Sequence, residues 1–178
     1  MKTDQLTAVV AETVLGWVGV ALSEHGIRYA TLFHHSREAV LGELAAFGAG
    51  ERPDRRAEEV AEFLRGYAAG EPVSLDDYPV DLPPCTEARR QIWLALREIP
   101  RGETRSYGWL ARRVGRPTAA RAIGAAVGAN PIPLWLPCHR VVASDGALHG
   151  FGGGLAMKQA LLELEGALPR RLPARREF

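Results

Sequence analysis

A proline-rich segment divides the chain and limits what it can fold into. Pro79, Pro83 and Pro84 fall within nine residues. Proline fixes its own φ, donates no backbone hydrogen bond and disfavours helix in the preceding residue, so segment 76–84 suits neither a helix nor a central strand. The sequences on both sides carry regular apolar periods. We therefore predict two domains, residues 1–75 and 86–168, joined by a linker at 76–85 and followed by a basic tail at 169–178.

The first domain has the pattern of an α/β scaffold. Residues 7–11, 17–22 and 27–33 are rich in β-branched and apolar side chains, which predicts three strands. Ser36 and Asp54 can each cap a following helix, and Gly70 can end the second one. Because no nucleophile stands beside a base in this part of the sequence, we interpret the domain as structural.

Three short helices are predicted at the start of the second domain. Thr86, Ser106 and Thr118 can cap helices over residues 87–99, 107–114 and 119–127. Two short helices joined by a tight turn containing glycine have the form of a helix-turn-helix. The third helix carries small side chains and one cation, Arg121. Such a surface offers little readout in the major groove but permits close approach to the minor groove, and a tightly packed structural helix is the alternative.

Charge is distributed unevenly along the chain. Up to residue 80 there are 7 Lys and Arg against 13 Asp and Glu, and after it 15 against 8. A basic half favours a polyanionic partner such as nucleic acid, although an uneven division of solvated charge is an alternative. No apolar run approaches the ~20 residues of a membrane span, and the N-terminus lacks a signal-peptide core. We expect a cytoplasmic protein with no membrane partner.

A potential nucleophile stands at Cys138, followed by His139 and Arg140 between the apolar runs 134–136 and 141–142. Only a thiolate is a strong nucleophile, and a neighbouring base or cation promotes its formation. A buried cysteine that acts as a small hydrophobe is the alternative. The other cysteine is Cys85. Two distant cysteines make neither a disulfide framework nor a zinc pair, so we expect free thiols and no metal.

Residues 130–142, Asn-Pro-Ile-Pro-Leu-Trp-Leu-Pro-Cys-His-Arg-Val-Val, resemble the signature of the O6-alkylguanine-DNA alkyltransferases, also called methylated-DNA–protein-cysteine S-methyltransferases. The resemblance extends from about residue 86 to 166. It includes Ser106-Tyr107, residues 120–124, a glycine-rich loop at 149–154 and Glu165-Gly166. Residues 1–75 match in architecture alone. The resemblance implies an N-terminal ribonuclease-H-like α/β domain followed by a C-terminal winged-helix-like helix-turn-helix domain.

The resemblance also implies a reaction. Cys138 would accept the alkyl group of O6-alkylguanine, and also of O4-alkylthymine, irreversibly and once per molecule, without a cofactor. His139 would take the thiol proton through a water, with Glu165 orienting the imidazole. Asn130 would brace the turn before the cysteine, and Tyr107 would help protonate the leaving guanine. An alkyl group on a pairing edge cannot be reached inside a duplex, so the base must be flipped out.

The partner implied is double-stranded DNA containing alkylated guanine, bound through the minor groove by a monomer. The DNA- and base-binding positions implied are Arg121, Ser106, Ala119, Ala120, Gly124, Arg140, Val141, Phe151 and Gly152. Phe151 stands where the family often has Tyr, and Gly152 where some members have Ser, which suggests a roomier pocket. A cysteine hydrolase, a damage-binding module without chemistry and a winged-helix regulator are the rival functions. Cys138 argues against the second of these, and the polar-poor third helix against the last.

Overall fold

The computed structural model describes residues 5–169, and the chain separates into two compact units between Pro83 and Pro84. Of the predicted basic tail at 169–178, all but Pro169 lies outside the described residues. The mixed α/β fold expected from the sequence is confirmed by four strands and two helices in the first unit and four helices in the described part of the second.

The first unit contains a sheet with the strand order β3-β2-β1-β4. Strands β1 and β2 form an antiparallel hairpin, β3 pairs antiparallel with β2, and β4 pairs parallel with β1. The short β4 was not predicted because Ala-Gly-Glu carries no apolar period, and β3 ends earlier than the predicted residue 33. The strands are β1 (Leu6–Thr13), β2 (Gly16–Leu22), β3 (Ile27–Ala30) and β4 (Ala49–Glu51).

Two helices, α1 (Arg37–Ala46) and α2 (Arg55–Ala69), complete this unit and begin at the predicted caps. The Ser36 hydroxyl accepts a hydrogen bond from the Ala39 amide at 3.2 Å, and the Asp54 carboxylate accepts one from the Ala57 amide at 2.7 Å. Each side chain satisfies a donor that the first turn of a helix leaves free. The buried cluster beneath α1 consists of Val40, Leu44, Ala8, Ala21 and Ala49.

Up to Pro83 the proline-rich segment is part of the first unit. The Ile27 amide donates to the Pro79 carbonyl at 2.9 Å, and the Asp81 amide donates to the Ile27 carbonyl at 2.8 Å. The Asp81 carboxylate also pairs with Arg28 at 2.9 Å. Backbone and side-chain bonds therefore fasten the segment up to Asp81 onto β3.

The second unit begins with three helices, α3 (Glu87–Leu96), α4 (Tyr107–Arg113) and α5 (Ala120–Gly128), and later contains α6 (Gly154–Glu165). The buried Trp93 indole donates to the Ala126 carbonyl at 2.8 Å and joins α3 to α5. Thr86 and Ser106 act as the predicted caps. The predicted Thr118 cap is wrong, because α5 starts after Ala119, which provides no side-chain cap.

A small parallel sheet, made of two strands of two residues each, links distant parts of this unit. Strand β5 (Arg105–Ser106) leads directly into α4, and it pairs with β6 (Val141–Val142). In α6 Leu164 is only half-buried, whereas Glu163 and Glu165 are buried. No helix within residues 5–169 has the length and apolar character needed to cross a membrane.

Candidate active site

The turn that presents Cys138 is braced by the side chain of Asn130. The Asn130 amide nitrogen donates to the Leu136 carbonyl at 2.7 Å, and its oxygen accepts from the Ile132 amide at 3.0 Å. Leu134, fully buried within this turn, has a φ of 73°. A branched side chain rarely adopts this left-handed conformation, so the surrounding bonds must stabilise it. The bracing predicted for Asn130 thus corresponds to two hydrogen bonds across the turn.

Cys138 begins a single turn of 3-10 helix, Cys138–Arg140, that runs into β6. The thiol is buried, and burial raises its pKa because the thiolate loses solvation. The Asn130 amide, the Lys158 charge and the backbone amides of residues 138 and 139 oppose this effect and favour the thiolate. The resting group is therefore a protonated thiol, surrounded by donors that can stabilise the charge once the proton leaves.

His139 and Glu165 form a buried pair behind the cysteine. The His139 Nε2 atom lies 3.0 Å from Glu165 Oε2, and neither side chain reaches solvent. This is an ion-pair distance, but neither ring nitrogen has a well-aligned hydrogen bond to any of residues 5–169. The structure thus places His139 next to its predicted orienting carboxylate and leaves both ring nitrogens free of competing protein donors and acceptors.

Arg140 also binds Glu165. Its guanidinium forms two parallel hydrogen bonds to the carboxylate, at 2.8 and 2.9 Å, and a third to the Ile99 carbonyl at 2.6 Å. The residue is 5% exposed. The prediction that Arg140 contacts DNA is therefore wrong, because its donors point into the protein. A planar guanidinium matched to a carboxylate fixes the position of that carboxylate.

The Glu165 carboxylate is ionised in this environment. Burial alone would raise its pKa, but positive charge on His139 and Arg140, together with the two hydrogen bonds from Arg140, outweighs burial and holds the pKa far below its usual range. The carboxylate thus stays negative when the imidazole next to it gains or loses a proton.

Tyr107 and Lys158 approach the thiol from two other elements. Tyr107 opens α4 and is half-buried; burial raises its pKa, and a negative charge on Cys138 would raise it further. Lys158 on α6 is fully buried, and its Nζ donates to the carbonyls of Val141 at 2.6 Å and His149 at 3.0 Å. Lys158 was not predicted from the sequence, although its spacing from Leu161 and Glu165 places it on the same helical face. A lysine in register with a buried stripe was the available signal.

Comparisons with known proteins identify the family in which this arrangement of residues occurs. Residues 87–167 match the family profile described as 6-O-methylguanine DNA methyltransferase, DNA binding domain. A methylated-DNA–protein-cysteine methyltransferase of Methanosarcina acetivorans is 38% identical over 165 residues, which cover 89% of this chain and 97% of that protein. The chain belongs to the methylated-DNA–protein-cysteine methyltransferase family. As a member of that family it is a DNA-repair enzyme that transfers an alkyl group to a protein cysteine.

Solved structures agree with this membership of the methyltransferase family. The crystal structure of Mycobacterium tuberculosis O6-methylguanine methyltransferase is 35% identical with a TM-score of 0.75, and the match covers 96% of this chain and 97% of that one. A second structure, of Mycobacterium tuberculosis OGT in complex with DNA, is 36% identical with a TM-score of 0.73, covering 90% and 93%. Within residues 5–169 the fold is therefore that of these methyltransferases.

The exposed face of α5 carries few large or polar side chains in this methyltransferase. Arg121 is exposed among small side chains, and a Cβ added at Gly124 would meet no atom within 4 Å. Ala120 is also exposed, Ala119 is half-buried just before the helix, and the Ser106 hydroxyl caps α4 through the Trp109 amide at 3.0 Å. Of the predicted DNA-contact positions, Ala120 and Arg121 on α5 are therefore exposed, whereas Gly124 on α5 and Ala119 before it are half-buried.

The glycine-rich loop, residues 149–154, leads from β6 into α6. Gly152 is exposed and Phe151 is half-buried. Gly150 and Gly154 have positive φ values of 30° and 83°, so part of this path depends on glycine. No group of three His, Cys, Asp or Glu side chains in the described part of the chain could hold a metal ion.

Proposed function

We propose that this enzyme repairs O6-alkylguanine, and also O4-alkylthymine, in double-stranded DNA by one irreversible transfer of the alkyl group to Cys138. The observation that carries the proposal is the buried thiol next in sequence to His139, whose Nε2 atom lies 3.0 Å from Glu165 Oε2. This arrangement combines a nucleophile, a base and an orienting carboxylate. The alkylated nucleobase must be extruded from the duplex before it can lie next to the thiol.

The proposed chemistry begins with the thiol proton. A water relays the proton from Cys138 to His139, whose positive charge is stabilised by the ionised Glu165 carboxylate. The thiolate attacks the alkyl carbon, so a sulfur–carbon bond forms while the carbon–oxygen bond breaks and its electron pair stays on the base. Tyr107, whose raised pKa keeps its hydroxyl protonated, donates a proton to the leaving base, and the tyrosinate that remains is reprotonated when His139 gives up the proton it took from the thiol. In net terms the thiol proton replaces the alkyl group.

Binding to DNA is proposed to occur through α4 and α5, with α5 in the minor groove and the protein acting as a monomer. The small side chains around Gly124 permit close approach, and the exposed Arg121 can enter the space that the extruded base leaves. Few polar groups on α5 read base edges, which suits an enzyme that must act in any sequence. We further propose that the two units have ribonuclease-H-like and winged-helix-like architectures.

The direct test is the intact mass of the protein after incubation with an oligonucleotide containing O6-methylguanine. The wild type is expected to gain one methyl group in place of one hydrogen, on Cys138, in a single burst that consumes one equivalent of DNA. Cys85→Ala is the matched control and should gain the same mass. Continued turnover without a permanent mass increase would instead indicate a hydrolase.

The pocket is expected to accept bulky alkyl groups. Gly152 offers no side chain, and Phe151 contributes an apolar wall without a hydroxyl group. Transfer from O6-benzylguanine should therefore proceed at a rate within about tenfold of wild-type transfer from O6-methylguanine, since small differences in apolar contact discriminate substrates by roughly 1–3 kcal/mol and an open pocket places the added ring at the lower end of that range. Gly152→Ser with Phe151→Tyr should favour the smaller adduct. Near-total failure of the wild type on the benzyl substrate would contradict the expectation.

A further inference from the structure

Lys158 is a buried cation whose place in the enzyme is defined by two carbonyl groups. Its side chain has no exposed surface, and burial lowers its pKa, an effect that a thiolate at Cys138 would oppose. Lysine is almost never fully buried unless its charge is paired or hydrogen-bonded. Here the Nζ atom donates to Val141 at 2.6 Å and to His149 at 3.0 Å.

These two acceptors stand at opposite ends of the segment that follows the thiol, residues 141–149. Val141 starts β6, immediately after the 3-10 turn that carries Cys138. His149 opens the glycine-rich loop. A loop with four glycines has few side chains with which to hold itself in place and loses much conformational entropy on ordering. The Lys158 ammonium group thus joins β6, which directly follows the turn of Cys138, to a loop that has few contacts of its own to hold it in place.

We propose that Lys158 is a positioning residue that fastens the glycine-rich loop to β6 and so forms a fixed wall of the base pocket beside the Cys138 thiol. The inference rests on the proposed function for its substrate, but the anchoring itself does not depend on DNA. Because the one Lys158 ammonium group donates to both carbonyls, the position of the loop depends on the position of β6 and of the thiol before it. When the ammonium is lost, both carbonyls lose their charge-assisted partner and the loop is released.

The test compares Lys158→Met with Lys158→Arg. Methionine keeps an apolar chain of similar length without a donor, whereas arginine retains the charge and the donors. Amide hydrogen exchange without DNA should show the amides of residues 149–154 exchanging at least ~10-fold faster in Lys158→Met, while α3 amides keep their wild-type rates. Methyl transfer at saturating DNA should slow by roughly 10- to 100-fold in Lys158→Met and recover to within about fivefold in Lys158→Arg.

Gln159→Met is the matched control, since it changes the next residue of α6 without touching the two carbonyls, and it should leave exchange and transfer unchanged. Wild-type loop exchange in Lys158→Met would overturn the proposal, and so would a failure of arginine to restore transfer in a folded protein. If Lys158→Met does not fold, the same two measurements on Lys158→Gln decide the matter, because glutamine keeps a donor but no charge and cannot reach both acceptors. Inactivity of the wild type would reject the proposed function while loop exchange still tested the anchor.

Discussion

Cys138→Ser is expected to abolish alkyl transfer while leaving DNA binding intact. A serine hydroxyl is nearly isosteric with the thiol but ionises far less readily, and burial of the site disfavours an alkoxide even more than a thiolate. The weaker nucleophile should reduce the rate below detection, although the turn braced by Asn130 stays in place. Intact mass after prolonged incubation measures the transfer, and a mobility shift with the same oligonucleotide measures the binding.

Cys85→Ser provides the comparison for this variant. Cys85 is half-buried near the start of the second unit and has no place in the proposed chemistry. It should react like the wild type in both measurements. If Cys138→Ser gained a methyl group, or if Cys85→Ser failed to gain one, Cys138 would not be the alkyl acceptor.

Arg140→Met is expected to lower the free energy of unfolding by roughly 3–5 kcal/mol, because it leaves the buried Glu165 carboxylate without its guanidinium partner. Denaturant titration of the purified proteins measures this loss. Arg113→Met removes the exposed ion pair with Glu98 and should cost less than about 1 kcal/mol. Adding Glu165→Met to Arg140→Met should recover part of the stability, since it removes the unpaired charge. Equal losses for the two single arginine variants would contradict the structural role of Arg140.

The same ion-pair network makes the stability of the folded protein depend on pH in the acid range. The pKa of Glu165 is depressed in the folded protein relative to about 4.3 for an unperturbed glutamate. Folding therefore gains stability from this carboxylate at any pH above ~4.3, and the gain is lost as the pH falls from there through the lower folded-state pKa. Arg140→Met brings the folded-state pKa closer to the unfolded one. The stability of this variant should change less than that of the wild type as the pH is lowered from 5 to 3.

Features controlled by neighbouring residues were predictable from the sequence. Ser36, Asp54 and Ser106 cap helices through amides three residues ahead, so a short window contains the whole interaction. The side chain of Arg140 binds Glu165 and Ile99, which lie 25 and 41 positions away, and no local pattern distinguishes that environment from a DNA surface. Strand β4 likewise exists because β1 provides its hydrogen-bond partners. Lys158 depends on both kinds of information, a local helical register and two distant carbonyls.

The small parallel sheet has a geometric consequence for substrate selection. β5 ends just before α4 starts at Tyr107, and β6 starts immediately after the turn that carries Cys138. Backbone hydrogen bonds, rather than flexible linkers, therefore set the distance between the first turn of α4 and the sulfur. In the proposed complex, with the duplex bound on α4, this fixed distance would decide how far a base must turn out of the helix. A base rotated only partway would stop short of the sulfur, and a fully extruded base would reach it.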